Sequence, residues 1–455
     1  MRRILKYSLV AFAILSSTIL FAQKKWGLEE CINYALQNNI QLKRSELQTK
    51  STEKSYQQGY FNIGPSVTGN FNHQYSNGTA FNNYTLRFEN IENQSGSASV
   101  NAEIEIFKGL SNWNNIGMLR YEFLSQKENN EILKNNITLN VVAAYLQILY
   151  DNENLIYSEE QYSILKRQLE KAERQSELGS ISPADFLNIK AQTINQKAVL
   201  TTAQSKVKIS YLDLAQLLEL ESADSLKINT TAIQIDTKST IQDFDKLYAE
   251  IISSRPELRK ADYDVKSARK GLNMAYGSLF PQITLGYSLG SYYDRSAYYS
   301  KISGGDTLII KYPKYSYSQQ LQDYITNTVY LSIQVPIFQR FTNATRISKA
   351  KIGLLDAKFA QEETQKRLLK EIQQAYVDAL ASYDKFLAFQ ESVSSYGEVF
   401  EQAKQKFDLG MINSIDYEMA HNNLIKAQGE LLHSKYTYLL RIKILDFYRG
   451  VPISL

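Results

Sequence analysis

The chain has 455 residues, 44% of them hydrophobic and 22% charged, with a formal net charge of +4. A mean hydropathy of -0.35 and the lack of any apolar run of about 18 residues in the body exclude a bundle of membrane-spanning helices. They leave a β-barrel open, because barrel strands hide a weak alternating signal in an ordinary composition.

The first 22 residues form a signal-peptide layout. Arg2, Arg3 and Lys6 precede an apolar run from Leu9 through Phe21, and Ala22-Gln23 supplies a cleavage site after Ala22. An N-terminal anchor is the alternative, although the run is short for a bilayer span. Removing residues 1–22 takes away three of the 51 basic residues and none of the 47 acidic ones. The mature chain is then close to neutral, which gives nucleic-acid binding no support. The single cysteine, Cys31, excludes a disulfide framework within the chain. Its apolar neighbours make it read as a small buried hydrophobe.

In chain order, a helix is expected over Leu28–Phe61 and two alternating strands over about 65–107. No Gly or Pro interrupts Met118 to Leu178, so a helix of about 60 residues, ~90 Å if continuous, is expected there. Gly179 makes a turn, and a return helix runs from Ala184 to about Leu220. The second half begins with a helix from about Ile241 to Leu279, interrupted near Pro256, and continues with strands over about 281–338. A long helix from Ile347 to Leu409 tolerates Gly353 and Gly397, and after the Gly410 turn a last helix returns to Tyr448. Helices of this length must pack as antiparallel hairpins.

The halves are copies. With a shift of 216, Lys50, Ser51, Lys54, Tyr60, Pro65 and Thr68 fall on Lys266, Ser267, Lys270, Tyr276, Pro281 and Thr284. Further on, a shift of 231 places Ile106-Phe107 on Ile337-Phe338, Ala144-Tyr145 on Ala375-Tyr376, Gly179 on Gly410 and Asp185 on Asp416. The domain organisation is therefore a first repeat over 23–240 and a second over 241–455. The difference of 15 locates an insertion between about Tyr293 and Gln322, a Tyr-rich stretch that reads as a loop.

The strands alternate with period two. Ala98, Val100, Ala102, Ile104 and Ile106 stand against Ser97, Ser99, Asn101, Glu103 and Glu105; Val329, Leu331, Ile333, Val335 and Ile337 stand against Thr328, Tyr330, Ser332 and Gln334. Val67, Phe71 and Tyr75, and Ile283, Leu285, Tyr287 and Leu289, repeat the pattern. Each run covers about 9 to 11 residues, the length of a membrane strand. A soluble sheet packed on helices would show the same alternation, but the signal peptide and the loop tyrosines favour the membrane. Four strands leave two open edges, which lipid cannot satisfy. The chain must then oligomerise, as a dimer of eight strands or a trimer of twelve. Glu103 and Glu105 suit a water-filled barrel lumen.

With these features in place, the chain resembles the TolC-like outer-membrane efflux protein family across its mature length. The carrying residues are "LEECINYALQNNIQLK" from Leu28, its echo "AEIISSRPELRKA" from Ala249, "VPIF" from Val335 and the two "LG" turns. The resemblance implies a mostly α fold: long helical hairpins forming an α-barrel tunnel in the periplasm, and four membrane strands per chain closing a 12-stranded β-barrel in a homotrimer. It implies an exit duct in the outer membrane of a Gram-negative bacterium. The partners would be outer-membrane lipid, a periplasmic adaptor protein, and an inner-membrane RND or ABC transporter that supplies the energy. The linker from about Glu221 to Ser239 and the C-terminal tail would lie at the tunnel's equator.

The two turns would be the tunnel tips. Ser182-Pro183-Ala184-Asp185 reads as a capping box with Pro at N1, Asn413 to Asp416 reads alike, and Gly179 and Gly410 are C-terminal stops. The resemblance adds adaptor docking at Gly179, Ser180, Ile181 and Asp185, and at Gly410, Met411 and Ile412. It also makes Asp416 a gate residue, three copies forming an acidic constriction that favours cations. Met419 and Ile412 stand where the best-known member has a second carboxylate and an arginine, so that member's salt-bridged lock does not carry over.

Neither enzymatic chemistry nor a cofactor is expected. GxxxxGK[ST], HExxH and nucleophile-elbow motifs are lacking, and His73, His421 and His433 have no metal-ligand spacing. The competing class is an extracellular or envelope filament protein built on long helices.

Overall fold

A computed structural model describes residues 25–82, 86–229, 243–252, 255–295, 298–303, 305–311 and 314–451. The stretch read as a signal peptide, the C-terminal tail beyond Val451 and the linker from residue 230 onward lie outside the described residues. In chain order, β1 (Lys25–Trp26) leads into α1 (Leu28–Asn38) and α2 (Ile40–Phe61). Then come β2 (Ser66–Asn82), β3 (Arg87–Lys108), α3 (Ser111–Glu177), α4 (Pro183–Leu217) and β4 (Lys227–Ile228). The second half contains α5 (Phe244–Ile252), α6 (Pro256–Gly277), β5 (Gln282–Asp294), β6 (Tyr298–Ser303) and β7 (Asp306–Lys311). It ends with α7 (Tyr317–Asp323), β8 (Thr326–Gln334), α8 (Thr342–Asp408) and α9 (Ser414–Tyr448).

The duplication extends to element boundaries. Helices α3 and α8 each have 67 residues, and α4 and α9 each have 35. All four pairs of ends are offset by the same 231 positions. The first helical segment, expected to be continuous over Leu28–Phe61, is broken at Asn39, where ψ is 125°. Asn39 turns its side chain to accept from the Leu42 N–H (3.2 Å) and so caps α2. Its counterpart under the 216 shift is Arg255, held out of helical geometry by Pro256. One break is thus written twice, as an asparagine cap and as a proline.

Two compact units cut across the repeats: residues 1–47, 128–258 and 363–455 form one, and 48–127 and 259–362 the other. The first is helical. Its larger core joins α1, α3 and α4 through Cys31, Val141, Val142, Ile148, Leu214 and Leu218, none with exposed surface. Each such side chain contributes roughly 1.5–3 kcal/mol. Burial, aided by Glu30, pushes the Cys31 thiol up to about 12, which makes it unreactive. The Tyr145 hydroxyl lies 3.3 Å from the Trp26 carbonyl and 3.0 Å from that of Asn229, pinning the parallel pair β1·β4. A second cluster packs Leu247 and Ile251 of α5 on Leu368, Ile372 and Ala379 of α8. The two hairpins meet where Tyr157 donates to the Ile425 carbonyl (2.9 Å) and Lys435 pairs with Glu153 (2.9 Å).

The second unit carries an antiparallel sheet of order β2-β3-β5-β8. Its register places Phe71, Ala98, Val100, Leu289, Tyr287, Val329 and their alternate neighbours on one face. That face is open: Phe71 and Val329 are 70% and 71% exposed. A soluble sheet would bury it against a second layer. The opposite face is polar, with Asn70, Ser99, Asn101, Glu103, Ser288 and Ser332. β2 and β3 have 17 and 22 residues, longer than expected, because their hairpin keeps pairing as far as Asn82↔Arg87. The insertion is more than a loop. It holds the β6·β7 hairpin and α7, which is fixed to β5 by Ser291 donating to the Leu321 carbonyl (2.6 Å) and by Tyr292 stacked on Tyr324 (4.5 Å).

Candidate functional site

The two helical turns have the same backbone. Gly179 and Gly410 both sit at φ +69°, a conformation in which a Cβ is strained. In the first turn the Gly179 and Ser180 amides donate to the Ser176 and Gln175 carbonyls at 3.1 and 2.7 Å. In the second, Gly410 and Met411 donate to Phe407 and Lys406 at 2.9 and 2.8 Å. These bonds satisfy the last carbonyls of α3 and α8. Ser182 then caps α4 by accepting from the Asp185 N–H (3.2 Å), and Asn413 caps α9 by accepting from the Asp416 N–H (2.8 Å). Asp185 also receives the Ser182 hydroxyl (2.8 Å).

Leu178, Leu409, Met411 and Ile415 are exposed beside these turns, while Ile181 and Ile412 are half-buried. Apolar side chains thus stand in water at both tips, as a docking surface requires. Between the hairpins lies a cavity of about 700 Å³, whose lining includes Ile181, Asp185, Phe407, Tyr417, Glu418 and Met419. Of the residues expected to dock the adaptor or form the gate, Ile181 and Asp185 line it, as does Met419 at the place of the missing second carboxylate. Asp416 is exposed on the first turn of α9.

An aromatic group at the second tip escapes the sequence reading, which considers His421 only as a metal ligand. Tyr417 stacks on Phe407 (4.9 Å) and lies 5.6 Å from Phe400, and Phe400 stacks on His421 (4.9 Å). The signal is their spacing: Phe400 and Phe407 are seven apart and Tyr417 and His421 four apart, which places each pair on one helix face. His421 is buried, and burial pushes its pKa down. The neighbouring Glu418 is half-buried, and burial pushes its carboxyl up. The second tip therefore carries a carboxyl at Glu418, next in sequence to Met419 and lining the same cavity.

On the polar face of the sheet, Glu103 accepts from the Tyr330 hydroxyl. The Tyr330 ring crosses Gly286 to reach it, and a Cβ at Gly286 would come within 2.1 Å of that ring. Glu105 lies on the same face but is not a free charge. Lys108 (2.6 Å), Gln282 (2.7 Å) and Asn112 (3.2 Å) all donate to it. Each histidine has its own surroundings: His73 bonds Tyr293 (2.5 Å), His421 sits in the aromatic stack, and His433 meets the edge of Tyr150. Among the described residues no helix is long and apolar enough to cross a membrane.

Comparison with known proteins matches this arrangement. A family model described as "Outer membrane efflux protein" matches residues 31–219 and 247–448, one segment in each repeat. The outer membrane protein TolC of Escherichia coli is 21% identical over 91% of this chain and 80% of its own. The outer membrane efflux protein BepC of Brucella suis is 20% identical over 95% and 87%. Among solved structures, the CmeC outer membrane channel of Campylobacter jejuni superposes with a TM-score of 0.79 at 18% identity, covering 93% of this chain and 85% of that one.

Proposed function

This chain belongs to the outer membrane efflux protein family and is an outer-membrane channel, and we propose that it works as the passive exit duct of a tripartite pump. Three copies close a twelve-stranded barrel from the four-stranded sheets, and their hairpins form the periplasmic tunnel. The observation that carries this reading is the sheet. One face is apolar and exposed, the other is polar, and β2 and β8 are its two edges. Such a sheet is satisfied only when its edges pair and its apolar face meets lipid. The family consists of channel proteins, and an inner-membrane RND or ABC transporter supplies the driving force.

Gly179, Ser180, Ile181, Asp185, Gly410, Met411 and Ile412 form the docking surface for the periplasmic adaptor. Asp416, exposed at the second tip, forms the acidic ring of the gate. Glu103 lines the barrel lumen as the freer carboxylate, and Glu105 serves the foot of the strands through its Lys108 pair. Detergent extraction of the membrane fraction followed by mass measurement and electron microscopy tests the architecture: a trimeric cylinder is expected, and a soluble monomer or open filament would refute it. Asp416→Asn is expected to reduce the cation selectivity of the isolated pore. Unchanged selectivity and conductance would remove Asp416 from the gate.

A further inference from the structure

The shifts of 216 and 231 predict strand register within this chain. Applied to the β2·β3 ladder, they reproduce β5·β8 at all nine of its pairs. Ser66↔Glu103 becomes Gln282↔Gln334, Phe71↔Ala98 becomes Tyr287↔Val329, and Gln74↔Ser95 becomes Gly290↔Thr326. The remaining ladder, β3·β5, joins the outgoing strand of one repeat to the incoming strand of the next. The same shifts turn it into a β8·β2 ladder. Within one chain that ladder cannot form, because β8 and β2 are opposite edges of the sheet.

We propose that β8 pairs antiparallel with β2 of the next copy in this inherited register, with Val329 opposite Tyr75, Ser332 opposite Asn72 and Ile333 opposite Phe71. The proposal rests on the oligomeric-channel reading above and adds the residues at which the copies meet. The contact is head-to-tail, the kind that closes into a ring.

Four features of the chain fit. The register sets exposed apolar residues against exposed apolar residues: Val329, Ile333, Tyr75 and Phe71 all stand open in the single chain. A one-residue slip would set them against polar side chains of the other face. Next, the β3·β5 ladder shifts register between Glu105 and Phe107. The corresponding irregularity falls at Ile337, beside Pro336, where a missing N–H is tolerated. Ile337, 93% exposed, and Phe338 would then fold onto the Val67 end of the neighbouring β2.

The strand-to-helix turns give a third match. Gly109 and Leu110 have φ +57° and +61°, and their counterparts Arg340 and Phe341 have +50° and +60°. A Cβ on Gly109 would come 2.3 Å from the Gly277 carbonyl and 2.8 Å from Phe280. In the neighbouring copy the counterparts of Gly277 and Phe280 are Phe61 and Gly64. The glycine facing the turn has changed sides, so Arg340 meets Gly64 where Gly109 meets Phe280. Finally, Leu146 and Leu149 of α3 are 2% and 4% exposed. Their counterparts on α8, Val377 and Leu380, are 59% and 38% exposed, so the second repeat leaves open a helix face that the first repeat covers.

Cysteine pairing tests the register, with buried Cys31 left in place. Ser332→Cys with Asn72→Cys is expected to oxidise to covalent oligomers at least roughly tenfold faster than Ser332→Cys with Asn70→Cys or Gln74→Cys, since disulfides need closely apposed Cα atoms. Thr328→Cys with Ser76→Cys tests the same register should the first pair disturb assembly. Faster cross-linking in a slipped pair overturns the register while leaving the trimer standing. Trimeric particles in which neither predicted pair cross-links overturn the β8·β2 contact itself. Particles of monomer mass in detergent refute the channel reading, and this proposal with it.

Discussion

The two tips share a backbone and differ in what fills it. Gly179 and Gly410 have identical φ, the caps at Ser182 and Asn413 accept from equivalent amides, and the helices on either side match in length. Yet Phe400, Phe407, Tyr417 and His421 of the second tip correspond under the shift to Leu169, Ser176, Phe186 and Lys190 of the first. The second tip is clasped by stacked rings, whereas the first has a single lysine 5.9 Å from the Phe186 ring. Duplication has preserved what backbone hydrogen bonding requires and released what packing allows. The side chains alone make the two hairpins different.

Removing the clasp should break the comparison most strongly. Tyr417→Ala is expected to destabilise the second tip by about 3 kcal/mol, and Phe186→Ala the first by about 1 kcal/mol, since the cost follows how tightly the deleted ring was packed. Native-state hydrogen exchange of amides on either side of each turn would read both, and equal effects would mean that the stack holds nothing. Gly179→Ala and Gly410→Ala should each cost about 1–2 kcal/mol by forcing a Cβ into the left-handed region. Nothing lies within 4 Å of either Cβ, so the two costs should be equal. Ser182→Ala and Asn413→Ala remove one cap each and should cost about 1 kcal/mol apiece. The same exchange measurement would show the pair diverging if the backbone frames were different after all.

The smallest effect is on pH, and it belongs to the second tip alone. Burial lowers the His421 pKa below the ordinary value, so below about 6.5 the unfolded chain takes a proton that the packed ring refuses. The second tip should lose exchange protection as pH falls through that range, and His421→Phe should abolish the loss. Glu418 acts in the opposite sense: burial raises its carboxyl, so the packed tip keeps a proton that the unfolded chain has released. Its contribution is present in acid and is lost as pH rises through the raised value, a dependence that Glu418→Gln should remove. The first tip carries Leu187 and Lys190 at these places and should show neither response.

Much of the architecture is legible because it is written locally and twice. The glycine turns, the caps and the alternation of the strands each depend on residues within a few positions. The break at Asn39 is hidden because a capping asparagine in a helical run looks like any polar residue, whereas its twin at Pro256 announces itself. The insertion conceals a β6·β7 hairpin and α7 because tyrosines and glycines signal a turn more strongly than short strands signal themselves. At the candidate site, Glu105 reads as a lumen charge, yet Lys108, Gln282 and Asn112 converge on it. Gln282 comes from the other repeat, beyond the reach of local pattern.

By itself the sequence determined the repeat, the positions of the turns and the faces of the strands, because backbone sterics and hydrogen bonding act over a few residues and leave a periodic trace. Only the tertiary structure decided which of those faces stay open, that Tyr330 reaches Glu103 across a glycine, and that Glu418 and His421 lose water while Asp416 keeps it. Those outcomes depend on what a distant segment places beside each group, and solvation is a property of the whole neighbourhood.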